Sequence, residues 1–125
     1  MELNAALVAL GALAQETRLG IFRLLVEAGR DGLAAGRIGG ALKIPPATLS
    51  FHLKELARAG LLTSRKESQF IYYAVDFERM AELMAFLTQN CCHGMPQACL
   101  NMVETALGNC CPTSQTKSKN KRSRS

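Results

Sequence analysis

The proline pair at positions 45 and 46, with the leucine stripe behind it, constrains this chain more than any other feature. Ile44-Pro45-Pro46 forces a turn and then opens a helix, because proline at a first helical position lacks only an N–H that would have no helical partner. The helix predicted from Ala47 to Ala59 carries Leu49, Leu53 and Leu56 at i, i+4 and i+7 and is closed by Gly60. Before it, Leu33, Ile38 and Leu42 mark a short helix, weakened by Gly36, Gly39 and Gly40. After it, Leu61 to Arg65 and Phe70 to Val75 read as strands, joined by the polar stretch Lys66-Glu67-Ser68-Gln69. Helix, tight turn, helix and hairpin make a winged helix-turn-helix, mainly α with a small β-hairpin wing.

The flanks fit one domain of this kind. Glu2 to about Ala14 presents an apolar surface wider than one core stripe needs, so part of it should meet another helix or another subunit. Glu16 to Ala28 is a second amphipathic helix, ended by Gly29 and Asp31-Gly32. Asp76 is a natural N-cap for a helix from Phe77 to about Asn90. A further helix is expected from Pro96 to Leu107, ended at Gly108-Asn109. The expected divisions are 1–90 for reading and dimerisation, 91–112 as a cysteine-rich segment, and 113–125 as a disordered basic tail.

Composition removes several classes of function. No run of 18 apolar residues exists in the 125, which argues against a membrane span. The first residues carry acid rather than base and no cleavage pattern, which argues against a signal peptide. All five cysteines lie after residue 90, a distribution unlike a disulfide scaffold, so a cytoplasmic protein is expected. The net charge of +5 is misleading, because Lys117, Lys119, Lys121, Arg122 and Arg124 supply it from the tail and leave the body neutral. Within that neutral body, however, Arg37 to Lys66 holds six bases against one acid, a local excess suited to neutralising phosphates.

The residues left outward by the leucine stripe are the candidates for contact with DNA. Thr48, Ser50 and Phe51 lie toward the N-terminal half of the predicted helix, where hydroxyls meet base edges and an aromatic ring packs on a thymine methyl. Lys54 and Arg58, with Arg65 and Lys66 on the hairpin, suit phosphates. His52 completes the candidate set, although its place beside Leu49 and Leu53 favours a structural hydrogen bond over base readout or metal ligation. The same pattern also describes a solvated helix in a small α+β domain.

Gln15-Glu16-Thr17-Arg18, then Pro46 through Leu62 with its S-x-H-L-x-x-L-x-x-x-G-L core, then Arg65 and Ile71-Tyr72-Tyr73, resembles the ArsR/SmtB family of metal-sensing repressors. The resemblance covers about residues 3 to 90. It implies a homodimer formed by the first and last helices, a palindromic operator as partner, and release from DNA when metal binds. It does not locate the sensor. The family's usual arsenic site is a C-x-C pair in the helix before the recognition helix, where this chain has Leu33-Ala34-Ala35-Gly36-Arg37-Ile38-Gly39. The family's zinc site on the last helix needs Asp, His and Glu ligands near Asp76 and beyond, and His52 and His93 are the only histidines here.

What remains is Cys91, Cys92 and Cys99, with Cys110 and Cys111 as an auxiliary pair. Thiolates select soft, thiophilic ions, and trivalent arsenic or antimony favours three of them on one side of a lone pair. On a straight helix Cys92 and Cys99 would lie about 10.5 Å apart along the axis, too far to share an ion. Gly94 and Pro96 interrupt that stretch, and a bend there would bring Cys99 back toward the vicinal pair. The expected effector is therefore As(III) or Sb(III). Methylarsenite on two sulfurs, Cd(II) or Zn(II) on four, and thiol oxidation stay open as alternatives. No catalytic constellation is present: there is no Cys-His pair with an orienting residue, no glycine-rich phosphate loop and no paired carboxylates. The basic tail either adds non-specific phosphate attraction or serves only solubility or cloning.

Overall fold

The structure, a computed structural model, describes residues 1–89 and the helix Pro96–Cys110. The chain divides after Leu87 into two compact units. In the first unit, α1 (Leu3–Leu13) meets α2 (Glu16–Ala28) at 99°. Gln15 caps α2, its Oε1 accepting the Arg18 N–H at 2.8 Å. A single 3-10 turn, Gly29–Asp31, leads to Gly32 and the two-residue strand β1 (Leu33–Ala34). Then come α3 (Ala35–Leu42), α4 (Pro46–Arg58), β2 (Leu62–Glu67), β3 (Phe70–Val75) and α5 (Phe77–Leu87). Among the described residues no single helix is long and apolar enough to cross a membrane.

The winged helix-turn-helix is present, with one strand more than the hairpin. β3 lies between β1 and β2, antiparallel to both, with Leu33 opposite Tyr73 and Leu62 opposite Val75. The approach of β1 depends on Gly32, at φ 71°, because a Cβ there would lie 2.1 Å from the Tyr73 carbonyl oxygen. The hairpin loop is also shorter than its polarity suggests. Lys66 and Glu67 pair with Ile71 and Phe70, leaving Ser68-Gln69 as a two-residue turn with Ser68 at φ 61°. Positive φ at the first central residue matches the strands' right-handed twist.

The bounds of α4, α5 and α6 differ from the sequence reading. α4 begins at Pro46 and finishes at Arg58, one residue earlier at each end than expected. α5 stops at Leu87 rather than near Asn90: Leu83 and Phe86 are its last packed residues, and the polar Thr88-Gln89-Asn90 offers nothing further to bury. In the second unit α6 (Pro96–Cys110) runs through Gly108 and Asn109, past the expected end at Leu107.

The core of the first unit is built from α1, α2, α3, α4, β2, β3 and α5, with the buried face of α4 among them. Ile21 and Leu25 of α2, Ile38 of α3, Leu53 and Leu56 of α4, and Leu61 are fully buried. Truncating any of these to alanine costs about 2–5 kcal/mol. A compact joint follows α4. Gly60 (φ 83°) packs against the Arg79 side chain, leaving 2.9 Å between the Nε and the position of a Cβ. One residue on, the Asp76 N–H donates to the Leu61 carbonyl at 2.9 Å, and Asp76 Oδ1 accepts the Arg79 N–H at 3.0 Å. The exit of α4 and the start of α5 are thereby tied together.

Candidate nucleic-acid interface

α4 is held by its leucines and offers the opposite side to solvent. Leu49, Leu53 and Leu56 are buried, while Thr48, Ser50, Phe51, Lys54 and Arg58 are exposed, Phe51 to 57%. A large aromatic ring left that open on a helix so well anchored is costly in water unless something covers it. The α3–α4 turn sets how α4 projects. Lys43 adopts the left-handed conformation (φ 58°), the Ile44 N–H donates to the Gly39 carbonyl at 3.0 Å, and a Cβ on Gly39 would meet the Ile44 oxygen at 3.2 Å. No side chain caps the N-terminus of α4, so the N–H groups of Ala47 and Thr48 stay available to an anion at the positive end of the helix dipole.

His52 stands apart from the other candidates. It is 9% exposed, and Arg18 Nη1 lies 3.3 Å from its Nδ1 while Arg18 Nε donates to the Ala12 carbonyl at 2.7 Å. Arginine can only donate, so Nδ1 accepts and the ring proton sits on Nε2. Its place is therefore inside the body, joining α4 to the α1–α2 corner, and not on the outward face. The Gln15-Glu16-Thr17-Arg18 stretch was visible in the sequence, but nothing in its pattern signals this anchor.

The wing carries Arg65 and Lys66, both exposed. Arg65 is held in place: its Nε donates to Glu67 Oε2 at 2.6 Å, its Nη1 to the Asp31 carbonyl at 2.8 Å, and its guanidinium lies 4.8 Å from the Tyr72 ring centroid. Hydrogen bonding to Glu67 pushes its already high pKa up, so it is a cation at any working pH. Arg58 donates to Glu55 Oε2 at 2.6 Å, which partly cancels its field. Lys54 and Lys66 form no ion pair among the described residues. Arg30 was not singled out from the sequence. It bonds Glu78 at 3.3 Å and stacks on Phe77 at 5.3 Å, bracing the 3-10 turn on which Arg65 leans.

Of the thiols, Cys91, Cys92 and Cys111 lie outside the described residues, as does His93. Cys99 stands in the first turn of α6 and Cys110 is its last residue. Eleven helical steps separate their backbone positions by about 16 Å along the axis. Among the described residues no three metal-ligating side chains come together.

Residues 13–65, from the end of α1 to mid-wing, match a helix-turn-helix domain family. The transcriptional activator HlyU of Vibrio cholerae is 33% identical over 94 residues, 74% of this chain and 84% of that protein. Its solved structure superposes with a TM-score of 0.57 at 34% identity, covering 73% of this chain and 99% of that one. A homodimeric winged helix-turn-helix DNA-binding domain from Mycobacterium bovis, described as a possible ArsR-family regulator, has a TM-score of 0.59 at 25% identity, covering 86% of this chain and 85% of its own. The chain belongs to the ArsR/SmtB-type winged-helix regulators. A possible transcriptional regulator for arsenical resistance is likewise similar, with a TM-score of 0.56 at 30% identity over 63% of this chain and 79% of its own. In this ArsR-type DNA-binding regulator α4 is the second helix of the helix-turn-helix and β2–β3 the wing.

Proposed function

We propose that this chain represses transcription as a homodimer on a palindromic operator and leaves it when As(III) or Sb(III) binds Cys91, Cys92 and Cys99. The observation carrying the DNA half is the exposed N-terminal half of α4, with Thr48, Ser50 and Phe51 outward and backbone N–H groups uncapped beside them. Lys54, Arg58, Arg65 and Lys66 supply phosphate contacts around it. Two recognition helices are needed to read a palindrome. The apolar stripe Leu3, Leu7 and Leu10 on α1, with Met84 and Leu87 on α5, offers a second copy its contact; the Mycobacterium bovis domain is homodimeric. The metalloid half rests on five thiols confined to one segment, on their softness, and on likeness to a regulator described in terms of arsenical resistance.

The coupling is a population shift. Ligation ties the segment after α5 to α6 and favours a dimer shape whose recognition helices no longer fit successive major grooves. The ion lowers operator affinity only through its differential affinity for the two shapes, and operator weakens the ion reciprocally. A coupling of about 1–3 kcal/mol corresponds to roughly 5–150-fold.

Gel shift on a palindromic duplex, with and without arsenite, tests the reading. Arsenite should release the native protein and leave Cys91→Ser, Cys92→Ser and Cys99→Ser bound. Retention of DNA by the native protein in saturating arsenite overturns the metalloid half. A second reading, thiol oxidation as the signal, is favoured by the vicinal cysteine pairs and by HlyU, one of whose structures is specifically of the reduced protein. Release by peroxide, reversed by a thiol reductant and indifferent to arsenite, selects it.

A further inference from the structure

Between the recognition helix and the wing lies an open cavity of about 470 Å³, within the usual range of small-ligand sites. α3 forms one wall, Leu49 and Leu53 of α4 another, and Ile71 of β3 the third. No charged side chain lines it, although six basic residues stand in the surrounding stretch from Arg37 to Lys66. Ser50 and Tyr73 are among its lining residues, and neither hydroxyl makes a side-chain hydrogen bond among the described residues. The α3 wall is bare because positions 36, 39 and 40 are glycine. Close packing requires only Gly39; a Cβ on Gly36 or Gly40 would meet nothing within 4 Å. Two helix-weakening glycines therefore hold a cavity open where alanine would fit sterically.

We propose that this cavity binds an uncharged, flat aromatic molecule and that its occupant competes with operator DNA. The chemistry follows from the lining: apolar walls without a counter-charge reject ions, and two unpaired hydroxyls orient one polar edge of a ring system. Competition follows from Ser50, which borders the cavity and also belongs to the exposed reading face of α4. An occupant in contact with both α4 and β3 also fixes the spacing of helix and wing. This input is separate from the thiols. Only its antagonism rests on the operator-binding reading; the binding itself does not.

The test uses the full chain, reduced and free of metal, titrated with N-phenyl-1-naphthylamine as a neutral fluorescent probe. Saturable enhancement at one probe per chain is expected. Gly36→Leu and Gly40→Leu fill the cavity from positions with open space and should weaken the probe by about tenfold or more while the thermal transition is kept. Ile71→Lys, at an exposed strand position, brings a charge to the wall and should do the same without relying on α3. Unchanged affinity in all three variants places the probe on another apolar surface and overturns the site. In the native protein, operator duplex should displace the probe. A ternary complex in which neither weakens the other overturns the antagonism, and failure of the duplex to bind even without probe counts instead against the operator reading.

Discussion

Single side chains on α4 divide into those that hold it and those left outward, which the proposed function assigns to DNA, and substitutions should separate the two. Phe51→Ala removes an exposed ring, so thermal stability should stay within about 0.5 kcal/mol of native while operator affinity falls about tenfold or more, measured by fluorescence anisotropy. Lys54→Ala should weaken all duplexes alike and lower the slope of log K against log salt by about 1. Arg18→Ala does the reverse at first. It strips the Ala12 carbonyl and His52 Nδ1 of their donor, so stability should fall by about 1–3 kcal/mol in urea unfolding, with DNA affinity following through a loosened α4. Gly32→Ala is the sharpest case, since its Cβ would lie 2.1 Å from a carbonyl oxygen at a positive φ. The expected loss is about 2 kcal/mol or more, with an unchanged m-value.

Elements differed in how openly the sequence announced them, and the reason is physical each time. α4 was legible because proline, a leucine stripe and a closing glycine all agree over one helix. α3 was legible despite three glycines, because Ile38 is fully buried and that burial outweighs the propensity, although Leu33, expected to mark the helix, belongs to β1. β1 was not, since two residues have no periodicity and exist as a strand only through Tyr72 and Tyr73. The wing was under-read by two residues because Lys66 and Glu67 look like loop by polarity, yet alternate across an exposed edge as strand residues do. Of the candidate reading face, the outward residues followed from the stripe, as did a structural hydrogen bond for His52; its partner Arg18, 34 positions away, did not. Ser68→Gly tests the wing turn: it removes a side chain held at φ 61° and should raise stability by up to about 1 kcal/mol, seen in thermal melts.

At the scale of the whole molecule, the apolar residues left outside the core are as informative as those within it. Leu3, Leu7 and Val8 are each more than half exposed on one short helix, an arrangement suited to contact with a second copy. Leu7→Glu should leave the fold intact, shift sedimentation toward monomer, and weaken a palindromic site far more than a half-site. The joint after α4 carries this outward, since Gly60 rests on Arg79 and Asp76 holds Leu61. α5 is thereby fastened to the recognition helix at its near end, while its far end, Leu87, lies about 15 Å away where the first unit stops. A displacement imposed there acts with the leverage of the full helix and arrives as a twist at the base of α4, with no slack loop in between to absorb it.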